Sequence, residues 1–236
     1  MRLVTWHLGH RLDDGHVPEN VITALASLAP DIVILTERLP GPAHRLFLAS
    51  LAGIGLTHSL APTPVQPGGH VLIAGRLKLV PGFLTTGASR DPPPPRVLHA
   101  HATTGVLDIL GLRSPDPTRR PSARRACWEW LIRAAATLKQ RRAILIGDFD
   151  VDATSRPSAG DDHLRYLTDA GWQRAVPAND VGNRTANGDA GALDHAFLSP
   201  SVQRIDARYT LAAAGLRLSG TQDSLSDHPV LVVDVQ

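Results

Sequence analysis

Four segments of this chain carry acidic or imidazole side chains where an apolar run begins or ends: Glu37 after Asp31 to Leu35, Asp148 and Asp150 after Ile144 to Gly147, Asp194 within LDHAFLSP, and Asp227 with His228 before PVLVV. A lone acid after a buried strand is more often a helix cap or turn residue than a ligand. Four of them, far apart in the chain yet all at strand boundaries, are harder to explain as caps, because strand ends present side chains to a common cleft. Carboxylates gathered there suit a hard divalent cation, Mg2+ or Mn2+, that takes oxygen ligands and keeps waters for a phosphate to replace. Cleaving a phosphodiester also needs an oriented water and a cationic group against the developing oxyanion. Asp148 and His228 have the right chemistry for these two tasks.

The elements that must hold these residues alternate. Arg2 to Trp6 reads as a strand, the spacing of Val21, Leu25 and Leu28 as a helix between Pro18 and Pro30, and Asp31 to Leu35 as a buried strand. A helix over about Ala43 to Leu51 precedes closely spaced strands at His70 to Ala74, Lys78 to Phe83, Val97 to His101 and Val106 to Leu112. Ser122 to Leu138 predicts an amphipathic helix, with Cys127 as a small core residue, and feeds the strand Ala143 to Ile146. A polar loop over Asp150 to Gly160, a helix over Asp161 to Ala170 and strands at Ala192 to Leu198 and Pro229 to Val235 complete the series. The run Asp91-Pro-Pro-Pro-Pro95 is a stiff connector rather than a domain linker, and Gly68-Gly69 a turn rather than a phosphate loop. This order predicts an α/β fold of two packed sheets with helices outside, in one domain spanning residues 1–236.

Bulk composition narrows the setting. The 236 residues are 43% hydrophobic and 19% charged, as a globular chain requires, and the formal charge of +2 does not by itself imply nucleic acid. One cysteine excludes an internal disulfide, no apolar run is long enough to span a bilayer, and a soluble cytoplasmic monomer is the expectation. Only Lys78 and Lys139 are lysines, which leaves 22 arginines, eight of them between Arg113 and Arg142. Guanidinium groups grip phosphate oxygens bidentately, although a solvated helix face explains such a run equally well. His99 and His101 share one face of a strand without ligand partners at zinc-site spacing, and read as structural.

Taken in order, RLVTW, PDIVILTE, ILIGDFDVD, LDHAFLSP and LSDHPVLVV resemble the motifs of the endonuclease/exonuclease/phosphatase superfamily, in particular its exonuclease III-like members, from Arg2 to Val235. The resemblance implies a four-layered α/β sandwich with the site at one edge of the two sheets. It further implies that Glu37 is the principal metal-binding glutamate, Asp227 a further metal-site acid and Asp148 the aspartate that positions the attacking water. His228 then contacts the scissile phosphate and Asp194 orients it. An Asp–His pair makes physical sense, because the carboxylate fixes the imidazole tautomer and raises its basicity. His195 would point the other way from Asp194 along an extended strand and reads as structural.

Three positions depart from the family pattern. His7 stands where Asn is usual, so a nitrogen ligand would favour Mn2+ or other transition metals over Mg2+, unless His7 only lines the pocket. GDFD replaces GDFN, so that Asp150 brings a second anion towards the phosphate unless it meets another cation or shares a proton with Asp148. Arg113 occupies the strand end where relatives carry Tyr or His, and offers a clamp for phosphate charge instead of a proton donor. The segment before LDHAF, Asn183-Arg184-Thr185-Ala186, carries no aromatic, and with aromatics at 4% base stacking is thinly provided. The expected function is a Mg2+- or Mn2+-dependent DNA nuclease in which Asp148, His228, Asp194 and Asp150 are catalytic, Glu37, His7 and Asp227 hold metal, and Arg113 and Asp150 bind phosphate. A hydrolase of a small phosphorylated metabolite and a catalytically impaired phosphate-binding relative are the alternatives.

Overall fold

The computed structural model describes residues 1–9, 18–38, 44–62, 70–86, 91–151, 163–178, 193–220 and 223–236. In chain order the elements are β1 (Arg2–His7), α1 (Glu19–Leu28), β2 (Ile32–Arg38), α2 (His44–Gly53), β3 (His58–Leu60), β4 (His70–Gly75), β5 (Leu79–Pro81), β6 (Val97–Ala102), β7 (Leu107–Arg113), α3 (Pro121–Leu138), β8 (Ala143–Asp148), α4 (His163–Asp169), β9 (Gln173–Arg174), β10 (Asp194–Leu198), β11 (Arg204–Thr210), β12 (Ala212–Ala213), β13 (Leu216–Arg217) and β14 (Val230–Val235). One six-stranded sheet runs β11-β14-β1-β2-β4-β3 and the other β5-β6-β7-β8-β10-β9, with β12 and β13 forming a small hairpin. Both sheets are mixed, with β1 parallel to β2 and β7 parallel to β8 inside otherwise antiparallel ladders.

Period-two alternation sorts the strand residues into layers. Leu3, Ile32, Ile34, Ile109, Ile144 and Ile146 meet between the sheets, together with Leu231 and Val233. Their strand neighbours Val4, Trp6, Val33 and Leu35 face the other way, against Val21, Leu25, Phe47 and Leu51 of α1 and α2. On the far side, Leu110, Leu112, Leu145 and Phe197 pack on Trp128, Leu131 and Leu138 of α3 and on Leu164 and Leu167 of α4. The result is the expected four-layered α/β sandwich, in which strands of both central sheets read as continuous apolar runs because each is covered on both faces.

Close packing between the sheets is local and specific. A side chain at Gly111 would press on Val71, Ile34 and Ile73 of the facing sheet. No described helix is long and apolar enough to cross a membrane. The predicted polar loop from 152 onward, the start of the predicted helix at 161, Gly68-Gly69 and residues 183–186 lie outside the described residues.

Candidate active site

The same alternation that builds the core aims side chains at one end of it. Continuing Leu3, Thr5 and then His7 along the inner face of β1, Ile144, Ile146 and Asp148 along β8, and Ile109 and Arg113 along β7, brings polar residues out where the apolar ones stop. Register locks them together: His7 lies beside Thr36, Arg113 beside Asp148, and Asp148 opposite Asp194. Glu37 needs a further device, because strict alternation after Ile32 and Ile34 places Thr36 inward and Glu37 outward. The pairing of β2 with β4 shifts between Leu35 and Arg38, and Glu37 takes a positive φ of 58°. That bulge turns the carboxylate back into the cleft, a strained backbone of the kind found at functional sites.

His7 is the hub. Its Nε2 lies 2.9 Å from Glu37 Oε2 and its Nδ1 3.3 Å from Asp148 Oδ2. Burial alone would lower the imidazole pKa, but the hydrogen bonds to Asp148 and Glu37 and their charges outweigh it and bring His7 up to about 10. The ring is therefore an imidazolium that donates to both carboxylates. Arg113 forms an ion pair with Glu37 and holds its Nε 3.4 Å from Asp148 Oδ2. For Asp148, burial works against ionisation; the hydrogen bond from His7 and the charges of His228, His7 and Arg113 still hold it below the usual carboxylate range. Side chains of the protein thus set positive charge against both acids.

His228 stacks on His7 with ring centroids 4.1 Å apart, and its Nδ1 meets Asp194 Oδ2 at 2.8 Å. Thr5 Oγ1 donates to the other oxygen, Asp194 Oδ1, at 3.2 Å. Desolvation lowers the His228 pKa, yet the Asp194 hydrogen bond leads the opposing effects and the net direction is upward. With Nδ1 committed to Asp194, only Nε2 remains for a ligand. Ser226 ties the histidine loop to β1: its hydroxyl donates to the His7 carbonyl at 2.5 Å and accepts from the His228 backbone N–H at 2.9 Å.

The expectations for Glu37, His7, Asp148, Asp194, His228 and Arg113 thus meet in one buried cluster. Asp150 is adjacent but aimed elsewhere. β8 ends at Asp148 and Asp150 has φ 52°, while Phe149 is fully buried. The Asp150 carboxylate lies 3.3 Å from buried Arg124, which also donates to the Asp150 carbonyl at 3.0 Å. Burial and the Asp148 charge push the Asp150 carboxyl up to about 7 against the pull of Arg124. Arg124 thus sets a cation beside Asp150, one of the two arrangements the GDFD substitution left open. Asp227 is exposed, its carboxylate near Ser226, while the next residue points inward. His195 donates to the Val151 carbonyl at 2.7 Å and packs near Phe149, and His99 and His101 share Asp108 at 3.1 and 3.0 Å within the second sheet, a supporting role in each case.

Sequence reasoning missed Arg124, Thr5 and Ser226 as supports of the site. Arg124 stood undistinguished among eight arginines, and only the inward parity of Thr5 two residues before His7 carried a signal.

With a proton gone from the His7 ring, the donor set fits a divalent cation. Ligand atoms of His7, Asp148 and His228 lie within 4.8 Å of one another, all three residues are buried, and Glu37 is in contact with His7. Imidazole beside carboxylates suits Mn2+ or another first-row metal better than Mg2+.

A model described as the Endonuclease/Exonuclease/phosphatase family matches residues 5–228. No curated protein matches the sequence. Among solved structures the fold is similar to the 3′-5′ exonuclease NExo from Neisseria meningitidis, with a TM-score of 0.75 at 18% identity over 99% of both chains. The NExo 3′ phosphatase from Neisseria, bound to a product DNA hairpin, gives 0.72 at 17% over 100% of this chain and 99% of that one. Sphingomyelinase C from Streptomyces griseocarneus gives 0.67 at 15% identity over 99% and 98%.

Proposed function

Since the chain belongs to the endonuclease/exonuclease/phosphatase family, a family of phosphoric ester hydrolases, we propose that it is a divalent-metal-dependent phosphodiesterase whose substrate is DNA. The observation that carries this reading is the Asp194–His228 pair stacked on His7 within reach of Asp148 and Glu37. Residues 1–236 act in this reading as one catalytic domain, a cytoplasmic monomer whose single cysteine is buried. Retention of the exonuclease III-like motifs around this cluster favours DNA over a small metabolite.

Glu37, His7 and Asp148 would hold Mg2+ or Mn2+, with Asp227 completing the set if its loop turns inward. When bound, the cation supplies charge neutralisation at the phosphate and acidifies water. The chain does the rest. Asp148, kept ionised by its neighbours, accepts a hydrogen bond from the attacking water and orients it; so low a pKa makes it an orienting acceptor more than a strong base. His228 donates from Nε2 to a phosphate oxygen, and Asp194 fixes the tautomer and stabilises the imidazolium. Arg113 clamps the charge that develops on the phosphoryl oxygens once it leaves Glu37. Asp150 anchors the loop through Arg124 and lies protonated below about pH 7, which spares the phosphate a second anion.

A second reading has one observation in its favour. His7 and Arg113 already neutralise Glu37 and Asp148, an arrangement that a phosphate-binding protein without turnover would also adopt. Hydrolysis of abasic-site duplex DNA, single-stranded DNA and bis-p-nitrophenyl phosphate, each with Mg2+, Mn2+ or EDTA, separates the cases. EDTA-sensitive cleavage of DNA supports the nuclease; cleavage of the small ester alone points to a metabolite phosphodiesterase; silence on all three leaves binding without turnover.

A further inference from the structure

A pocket of about 210 Å3 opens beside the carboxylate cluster, lined by Arg96, Arg113 and Arg120 together with Pro94, Pro95 and Cys127. Its arginines are unlike most others in this part of the molecule. Arg124, Arg133 and Arg141 each pair with an aspartate, whereas neither Arg96 nor Arg120 has a side-chain hydrogen bond or ion pair among the described residues. Arg113 pairs with Glu37 and, through Nε, with Asp148, so it joins the pocket to the cluster. Burial first, and then the charges of Arg113 and Arg120, press the Arg96 pKa down against the weaker pull of Glu37 and Asp148, so Arg96 feels both other guanidinium groups across the pocket. Like charges held this close are relieved by an anion with several oxygens, which the planar guanidinium fork matches.

The rest of the wall says what the anion is attached to. Proline rings and a cysteine thiol, kept neutral because burial pushes it up to about 12, give the lining an apolar part that a sugar or base face can cover. Typical drug-sized ligands need about 300–1,000 Å3, so the pocket takes one phosphorylated unit and not a whole substrate. Arg113 faces both this pocket and Asp148, which sets the two anion positions side by side.

We propose that this pocket is a second phosphate subsite, taking the phosphate one nucleoside away from the scissile one, so that the preferred substrates are nucleosides bearing two phosphates, as every internal unit of a polynucleotide does. The inference rests on the phosphodiesterase reading of the neighbouring cluster and names its substrate class.

The test compares thymidine 5′-(p-nitrophenyl phosphate) with the same ester carrying a 3′-phosphate. The wild type is expected to show a kcat/KM about tenfold or more higher on the doubly phosphorylated ester, the scale of one charge-assisted contact set. That ratio is expected to fall about tenfold in Arg96→Ala and in Arg120→Ala. A wild-type ratio near one overturns the inference, as does a variant that slows both esters equally and leaves the ratio intact. Equilibrium binding of thymidine 3′,5′-bisphosphate against thymidine 5′-monophosphate, in the wild type and in Arg96→Ala, reads the pocket without turnover. A bisphosphate preference that Arg96→Ala removes, with no ester cleaved, sinks the hydrolase reading and keeps the subsite. Cleavage with equal affinities does the reverse.

Discussion

Each departure from the family pattern at residue scale acquires a partner in the structure. His7 serves as an internal cation between Glu37 and Asp148, so the ring must give up a proton before it and those acids can share a metal ion. His7→Asn removes that proton and offers a harder oxygen donor. Cation affinity measured by titration calorimetry should rise, and the Mg2+ to Mn2+ preference should move towards Mg2+ by about tenfold. An unchanged preference would make His7 a pocket-lining residue only. Asp150 gives a pH prediction. In an unfolded chain an aspartate titrates near pH 4, whereas in the fold it is pushed up to about 7. The folded state therefore binds this proton more tightly, and the associated stability is complete below about pH 4 and is lost as pH rises through 7. Asp150→Asn stays neutral throughout, so its stability relative to wild type should climb across that window. The expected gain is about 1–2 kcal/mol, after discounting for the group's partial exposure. Thermal melts showing a difference that is flat or falling from pH 4 to pH 8 would count against this account of Asp150.

Strand parity and its two interruptions decide what the elements present. Residues on the inner faces of β1, β7, β8 and β10 reach the cleft because alternation simply continues past the core, and this much was legible in the sequence. Asp194, Asp148 and His228 could be assigned to strand ends on that basis, and most predicted strands and helices lie within a few residues of their observed bounds. What alternation could not reveal was Glu37 turning inward by a bulge, or Asp150 turning away at positive φ. The edge strand β11 was also invisible: Ala207 and Tyr209 alone face the core, between Arg204, Asp206 and Arg208, so its apolar period is faint. Gly147 sets Asp148 in place with φ 144°, where a Cβ would collide with the Leu112 carbonyl oxygen. Gly147→Ala should cost about 3 kcal/mol or more, read as a lower urea midpoint, because strained backbone and a backbone clash add. A midpoint within error of wild type would show that β7 and β8 can part without penalty.

Across the whole molecule, the sandwich is a device for joining residues 221 positions apart, His7 and His228. β1 and β14 pair along their length, so the chain's two ends deliver His7 and His228 to one stack, while β8 and β10 of the other sheet supply Asp148 and Asp194. Composition could not foretell this closure, since the links that make it, Thr5 to Asp194 between the sheets and Ser226 to His7 between the ends, are single hydrogen bonds. Thr5→Val, which keeps volume but removes the hydroxyl, should lower the rate more than the stability: a loss of about 1 kcal/mol in urea unfolding at most, with a larger effect on kcat. Equal loss in both would mean that the bond only supports the fold.

The most direct measurement is cleavage of single-stranded DNA by wild type and His228→Ala, with Mn2+ and with EDTA. The proposed mechanism predicts cleavage in Mn2+, none in EDTA, and a loss of about 10²–10⁴-fold in the variant, the usual contribution of one positioned acid or base. Wild-type cleavage that survives EDTA, or a His228→Ala variant at the full rate, would contradict it.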